Sequence, residues 1–381
     1  MSRVDDLIAD LCPGGVEFWC LKDVARIRNG KDYKNFGQGD VPVYGTGGVM
    51  TKIDTAAYEK PSVLIPRKGS LNKLYYVDGP FWTVDTIFYT EIIEALIEPK
   101  FFYYFLMTQR LEELNQAGGV PSLTQSVLNE LKIPVPPLEV QREIVKVLDT
   151  FTKLEAELEA ELEARSRQYA YYRDALLAFK KQNVRWATMS EVGEFFRGRR
   201  FTKDDYVLDG IGCIHYGDIY TQYGIATTST VSHVRSDMAS ALRFAKPGDL
   251  VIAGVGETVE DVGKAVAWLG DGEVAIHDDC FAYRHSLNPK FVSYYFQTAA
   301  FHAEKNKYVA RAKVKRLSAE NLGKLAIPIP PLDEQVRIVA ILDKFDALVN
   351  DLGSGLPAEI KARRQQYEHY RDCLLSFREV V

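Results

Sequence analysis

The stretch Ile133-Pro134-Val135-Pro136-Pro137-Leu138-Glu139 returns 194 positions later as Ile327-Pro328-Ile329-Pro330-Pro331-Leu332-Asp333. Each copy opens a long run of helix-forming residues, and each run ends in Tyr-Arg-Asp-x-Leu-Leu-x-Phe, at residues 172–179 and 370–377. A chain that repeats both a proline-led helix start and the matching helix end folds as two related copies, so the repeat governs how every local motif is read.

The rest of the sequence obeys the same division. Val16-Glu17-Phe18 through Gly30 aligns with Val184-Arg185-Trp186 through Gly198 at a shift of 168. Val63-Leu64-Ile65 ending in Gly69 aligns with Leu250-Val251-Ile252 ending in Gly256 at 187, and Pro99-Lys100-Phe101 with Pro289-Lys290-Phe291 at 190. Leu123-Thr124 aligns with Leu317-Ser318 at 194, and the helix ends align at 198. The shift rises and never falls, as it does when a tandem duplication takes insertions in its second copy. Short β-branched and aromatic runs between Gly, Pro and Asp turns predict strands at 41–44, 62–65, 74–77 and 87–90, and again at 249–252, 265–269 and 280–283. A helix is predicted from Pro99 to Gln116, with Gly118 as its stop, and another from Pro289. Each copy reads as an α+β domain of mixed α/β content followed by a long helix. The expected division is 1–137, 138–182, 183–331 and 332–381.

Positions 144, 148, 151, 155, 158, 162, 165, 169, 172, 176 and 179 follow alternating steps of four and three. Nine of these eleven are apolar, against about five expected from a chain that is 46% hydrophobic, so they form a heptad seam. Its apolar members are Ile144, Leu148, Phe151, Leu158, Leu162, Tyr169, Tyr172, Leu176 and Phe179. The second copy continues with Ile338, Leu342, Phe345, Val349, Leu352 and Leu356, then resumes through Ile360, Tyr367, Tyr370, Leu374 and Phe377. The doubled step of four coincides with Gly353-Ser354-Gly355-Leu356-Pro357, which should bend or break the helix. From Glu139 to Phe179 the first helix would span roughly 60 Å at 1.5 Å per residue. Two related helices with matching seams are expected to pair as an antiparallel coiled coil about a pseudo-two-fold. The competing arrangement lays each helix on its own domain alone.

Composition narrows the function. No run approaches the ~18 apolar residues that a membrane span needs, and the charged opening Met1-Ser2-Arg3-Val4-Asp5-Asp6 is not expected to act as a signal peptide. Five cysteines without a Cys-x-x-Cys pair suit a reducing cytoplasm, the expected location. A net charge of −5 gives no general attraction to nucleic acid, so any such binding must come from local clusters.

Motifs for chemistry are weak. Gly254-Val255-Gly256 follows an apolar run, but the third glycine of a nucleotide loop is replaced by Val259 and a turn is expected. His277-Asp278-Asp279-Cys280 has metal-ligating residue types, yet neighbours on a strand point to opposite faces. Its counterpart in the first copy is taken as Thr83-Val84-Asp85-Thr86, without His or Cys. No catalytic constellation, metal site or cofactor site is expected.

Basic residues do cluster. Lys22 to Lys73 holds ten Lys/Arg against five Asp/Glu, Arg185 to Lys203 five against two, and Lys305 to Arg316 six against none. Such side chains neutralise phosphates, and those reaching base edges read sequence. The candidate DNA-binding set is Arg28, Lys31, Lys34, Tyr44, Thr46, Lys52, Arg67, Lys68 and Lys73 in the first copy. In the second it is Arg197, Arg199, Arg200, Lys203, His215, Arg311, Lys313, Lys315 and Arg316. The copies diverge at Tyr44-Gly45-Thr46-Gly47-Gly48, whose place is taken by Ile214-His215-Tyr216-Gly217-Asp218, so two different half-sites are expected.

With Ile-Pro-x-Pro-Pro-Leu-x-x-Gln at 133–141 and 327–335 and the helix ends at 172–179 and 370–377, the whole chain resembles the specificity subunit of type I restriction–modification systems. The first copy departs from the usual family form only in Val140, where the second has Glu334. The resemblance implies a noncatalytic reader of double-stranded DNA with two target-recognition domains, each binding half of an asymmetric bipartite site. It implies a helix pair that sets the spacer and docks two methyltransferase subunits, which translocase–nuclease subunits then join. S-adenosylmethionine, ATP and Mg would belong to those partners. A coiled-coil scaffold joining two protein-binding domains is the alternative.

Overall fold

A computed structural model describes residues 3–115, 121–180, 182–310 and 313–380 of the chain. Gly118 and Arg311, both singled out above, lie outside the described residues. The chain packs into two compact units, Met1–Leu158 with Ile360–Val381, and Glu159–Glu359.

The first unit is built on an antiparallel sheet in the order Ala25–Asn29, Ile87–Ile92, Ser62–Pro66, Tyr75–Val77. Ser62–Pro66 is buried along its whole length, which is why it reads as an unbroken apolar run. A smaller sheet, Gly48–Ile53, Val41–Gly45, Trp82–Thr83, carries an exposed hairpin. The second unit repeats the main sheet as Gly193–Arg197, Cys280–His285, Leu250–Ala253, Ala265–Trp268, and adds Ala226–Thr227 in parallel at the edge. Helices Pro99–Thr108 and Pro289–Phe296 sink Phe101, Phe102, Phe291 and Tyr294 into the two cores. The first of these stops sooner than its sequence predicts. Gln109 turns extended, the Thr108 hydroxyl donates back to the Phe105 carbonyl at 2.7 Å, and only a 3₁₀ turn, Leu111–Leu114, follows. Among the described residues no helix is long and apolar enough to cross a membrane.

The repeated proline stretch does more than start a helix. Lys132–Pro134 and Ala326–Ile329 are strands, paired antiparallel with Phe18–Cys20 and Arg185–Thr188. Each domain's last strand thus closes on its first, in a two-stranded ribbon where proline's missing N–H can face away from the partner. Three positions on, the buried Gln141 donates to the carbonyls of Pro136 (2.7 Å) and Leu96 (3.0 Å) and accepts from the Glu98 N–H (2.7 Å). Gln335 likewise donates to the Pro330 carbonyl (2.8 Å) and accepts from the Asn288 N–H (2.8 Å). Glu98 and Asn288 in turn cap the helices at Pro99 and Pro289 through the N–H of Phe101 and Phe291. One glutamine per copy therefore joins proline turn, cap and helix. Asp149 and Asp343 complete the joint: Lys100 and Tyr104 reach the first at 2.6 and 2.7 Å, and Lys290 and Tyr294 the second at 2.8 and 2.7 Å.

The first long helix runs Leu138–Leu176, and the second copy is divided, as expected, into Leu332–Asn350 and Leu356–Leu374. In the first unit Phe151 stacks on Tyr370 (centroids 5.4 Å apart, planes at 24°), and Glu155 pairs with Arg364. In the second, Tyr172 stacks on Phe345 (5.5 Å, 26°), and the Tyr169 hydroxyl donates to Asp346 at 3.2 Å. Rising numbers on one helix meet falling numbers on the other, so both pairings are antiparallel. Each aromatic stack contributes about 1 kcal/mol beyond its buried area. The seam is not purely interhelical, however. Ile144, Leu148, Ile338 and Leu342 are buried against the domain core of their own copy. Leu162, Leu176, Leu374 and Tyr367 pack at core edges, while Leu158 is half-buried outside the core clusters. Phe377 reaches Phe101 at 6.2 Å and Phe179 reaches Phe291 at 6.4 Å. Each unit therefore contains the start of its own copy's helix and the end of the other's. Val16 seals the first unit by backbone bonds with Arg378 (2.8 Å) and Val380 (3.1 Å).

Replacing Gln335 by alanine leaves the Asn288 N–H and Pro330 carbonyl without their partner in the interior. The expected cost is about 2 kcal/mol, read as a lower urea midpoint, and Gln141→Ala should cost as much or more. An unchanged midpoint in both variants would remove the glutamines from the joint.

Candidate nucleic-acid interface

Five segments converge at one end of each main sheet, and matched backbone bonds set them in the same frame. Lys31 N–H donates to the Thr83 carbonyl (2.8 Å) as Arg199 does to Ile276 (3.0 Å). Val84 donates to Tyr44 (3.0 Å) as His277 does to Ile214 (3.1 Å). Arg67 donates to Thr86 (2.9 Å) as Gly254 does to Asp279 (2.8 Å), and Leu123 to Arg67 (2.9 Å) as Leu317 to Gly254 (3.0 Å). Gly30 and Gly198 make the approach possible: a Cβ would lie 2.0 Å from the Val84 oxygen and 2.2 Å from the His277 oxygen. These bonds pair Asp85 with Asp278 and Thr86 with Asp279. They correct the sequence alignment of 83–86 with 277–280, which was one residue out because few identities anchor it there.

In the first unit the loop after Tyr44 is fastened from outside. The Thr46 hydroxyl donates to the Thr86 carbonyl (3.1 Å), Tyr75 donates to the Thr46 carbonyl (3.0 Å), and Lys73 lies 3.4 Å from the Gly47 oxygen. Tyr44 is half-buried against Tyr75, and desolvation raises its pKa. A cleft of about 820 Å³ brings together Lys34, Thr46, Gly47, Met50, Asp85 and Thr86. Lys31 lines a neighbouring hollow with Asn29 and Trp82, Lys52 is exposed on the hairpin, and Arg67 lies 5.7 Å from the Phe88 ring. Lys68 bridges Ser122 through its backbone. Arg28 stands apart: both arms of its guanidinium bind Glu91 across the sheet, at 2.9 and 3.0 Å.

In the second unit a cleft of about 620 Å³ is lined by Arg200, Lys203, Tyr206, His215, His277 and the Asp278-Asp279 turn. On the turn's other side Arg197 and Arg316 share a hollow of about 190 Å³. Lys315 and Arg316 form a short strand with Val255–Gly256. Arg199 and Lys313 are exposed. His215 caps the helix Tyr216–Thr221, its Nδ1 accepting from the Gly217 N–H (3.1 Å), and burial followed by the nearby His277 lowers its pKa, so the ring is neutral at physiological pH. Lys305, counted in the basic run, is fully buried. It donates to the carbonyls of Val259, Glu260 and Val262, and desolvation lowers its pKa to about 8. It pins a loop and is withdrawn from the surface.

The structure corrects two further expectations. His277, Asp278 and Asp279 do not face apart, because the aspartates sit in a turn, and their ligating atoms lie within 4.8 Å of one another. Both ring nitrogens are nonetheless engaged: Nδ1 accepts from the Asp279 N–H (3.2 Å), which leaves the proton on Nε2 to donate to the Phe201 carbonyl (3.1 Å). Gly254 serves packing, since a Cβ there would meet the Phe281 ring at 2.6 Å. Asp85, Asp278 and Asp279, weighed in the sequence only as metal-ligand types, join the loop cluster, as does Arg243, which donates to the Arg197 carbonyl at 3.0 Å. A search for basic clusters discards acidic residues by construction.

The description "Type I restriction modification DNA specificity domain" matches the chain twice, over residues 13–164 and 183–362. A putative type I restriction enzyme specificity subunit of Haemophilus influenzae is 30% identical over 95% of this chain and 96% of its own length. The specificity subunit of the Escherichia coli type I restriction enzyme EcoR124I/EcoR124II is 31% identical over 73% of this chain and 70% of its own. Among solved structures, the S subunit of the type I restriction-modification system of M. genitalium superposes with a TM-score of 0.56 at 15% identity, covering 95% of this chain and 96% of that one. A chain from work on complex assembly and conformational transition of the type I R-M system gives 0.64 at 19%, covering 97% and 99%. At those identities the likeness is one of fold.

Proposed function

The chain belongs to the family of type I restriction modification DNA specificity domains, and on that premise we propose that it reads double-stranded DNA for a type I restriction–modification complex. Each unit's loop cluster reads one half of an asymmetric bipartite site. The observation that carries this reading is a shared frame with unlike contents. The same backbone bonds hold Tyr44 and Ile214, but a glycine-rich hairpin follows the first and the helix Tyr216–Thr221 the second. Two copies of one reader thus present different side chains in the same place, as an asymmetric site requires.

In this proposal 1–137 and 183–331 are the readers, and 138–182 and 332–381 form the helical region on which two methyltransferase subunits dock. Translocase–nuclease subunits join those, and S-adenosylmethionine, ATP and Mg reside on the partners. The chain supplies no catalytic group and works in the cytoplasm. The helix Leu138–Leu176, which contributes residues to both units, sets the unread spacer. The scaffold alternative draws no support from the family.

The chain assembled with its modification subunits should methylate adenines within one bipartite sequence. Absence of any split motif among methylated sites would refute the reading. Inserting four residues after Glu159 would lengthen the helix by roughly 6 Å, so the spacer should change while both half-sites stay as they were; an altered half-site would overturn that division of labour. Exchanging Arg200, Lys203 or Lys313 for alanine should weaken binding evenly across sequences. Each exchange should reduce the slope of log affinity against log salt by about 0.9, and an unchanged slope would remove that residue from the phosphate contacts.

A further inference from the structure

We propose that Arg197 and Arg316 are the guanine-reading pair of the second unit, each held in its reading orientation by one carboxylate of the Asp278-Asp279 turn. The inference rests on the DNA-reading function above and deepens it, by separating side chains that read bases from those that bind phosphate.

The two arginines come from different parts of the chain, the end of strand Gly193–Arg197 and the strand Lys315–Arg316, and meet on either side of one turn. Arg197 Nη2 lies 3.5 Å from Asp278 Oδ2, and its Nε donates to the Asp278 carbonyl. Arg316 Nη1 lies 3.7 Å from Asp279 Oδ1. The turn is itself anchored, with the Asp279 N–H on the buried His277 ring and the Asp279 carbonyl on the Gly254 N–H.

Three physical points favour base reading. First, each of the two guanidiniums is ion-paired with a carboxylate of the turn, which reduces its attraction for a phosphate. Across the turn, Arg200 and Lys203 share their cleft with the same two aspartates but form no ion pair among the described residues, which leaves their charge for phosphate. Second, both arginines are exposed, with side chains 53% and 60% accessible, and ion pairs open to solvent contribute little to stability. What they do is restrict rotamers, which lowers the ordering cost when the guanidinium docks. Third, a planar fork with fixed orientation matches the O6 and N7 acceptors of guanine in the major groove, and a point charge such as lysine does not.

At the equivalent described positions the first unit has no such pair. Asn29 occupies the register of Arg197, opposite Phe88 as Arg197 is opposite Phe281. Ser122 occupies that of Arg316, bridging Lys68 as Arg316 pairs with Val255. Thr86 replaces Asp279. The guanine preference that this pair supplies is therefore confined to one half-site.

The test uses the full chain assembled with its modification subunits and a pool of random-sequence duplexes, with methylated adenines located by sequencing and affinity measured against salt. R197K and R316K keep the charge and remove the fork. Each should cut guanine preference about five- to a hundredfold at one position of one half-site, leave the other half-site intact and leave the salt slope unchanged. D279N should relax the same position as R316K, more weakly, which a merely structural carboxylate would not do. The retained preference for the other half-site reports that the variant complex is folded. If both lysine variants keep the full guanine preference, or lose affinity evenly at every position with a shallower salt slope, the assignment is wrong. A wild-type complex that yields no bipartite consensus would instead bring down the functional reading on which this one rests.

Discussion

An apolar helix face that continues through eleven seam positions is more than a small α+β domain can cover. Each long helix is therefore buried in two instalments. Its first turns, Ile144 and Leu148 or Ile338 and Leu342, lie on the domain that precedes it. Its aromatic end finds cover among residues of the other copy, where Phe151 meets Tyr370 and Phe345 meets Tyr172. The exchange explains why compact packing assigns residues 360–381 to the first unit and not to the copy in which they are encoded. It also explains why the repeat extends into polar anchors: Gln141 and Gln335, and Asp149 and Asp343, fix where each helix leaves its domain, so the later aromatic contacts fall in register.

Charge follows a similar economy. A protein with a net charge of −5 can attract DNA only through small basic areas, and basic residues gather at the loop ends of the two sheets. Not every basic residue near them is available. Arg28 is held by Glu91, and Lys305 is sunk beneath a loop. Carboxylates in a DNA-facing cleft would be a liability if the cleft only gripped phosphates. Their presence at the same turn in both units, Asp85 and Asp278, is what the proposed reading of base edges there would require.

The expected strands, the divided second helix and the duplication were legible because they rest on periodicity and spacing, which are local properties. Ile133-Pro134 was read only as a helix start, since its pairing with Phe18–Cys20 spans more than a hundred residues and leaves no local mark. The helix from Pro99 was drawn too long because helix-forming residues continue past Thr108, and side-chain hydrogen bonding, not propensity, ends it there. Basic clusters pointed to the loop ends of the sheets but could not rank their members. Arg28, Lys305 and Arg316 look alike in sequence and differ entirely in what their charges meet.

By itself, then, the sequence determined that two copies of one domain-and-helix unit exist and which family they belong to, because repeat spacing, proline punctuation and heptad period are carried by neighbouring residues. Tertiary structure alone decided which helix end completes which domain. It also decided that Asp278 aligns with Asp85, and that two arginines from opposite ends of a domain face one aspartate turn. Those outcomes depend on backbone bonds between segments far apart in the chain, where no local pattern records the partner.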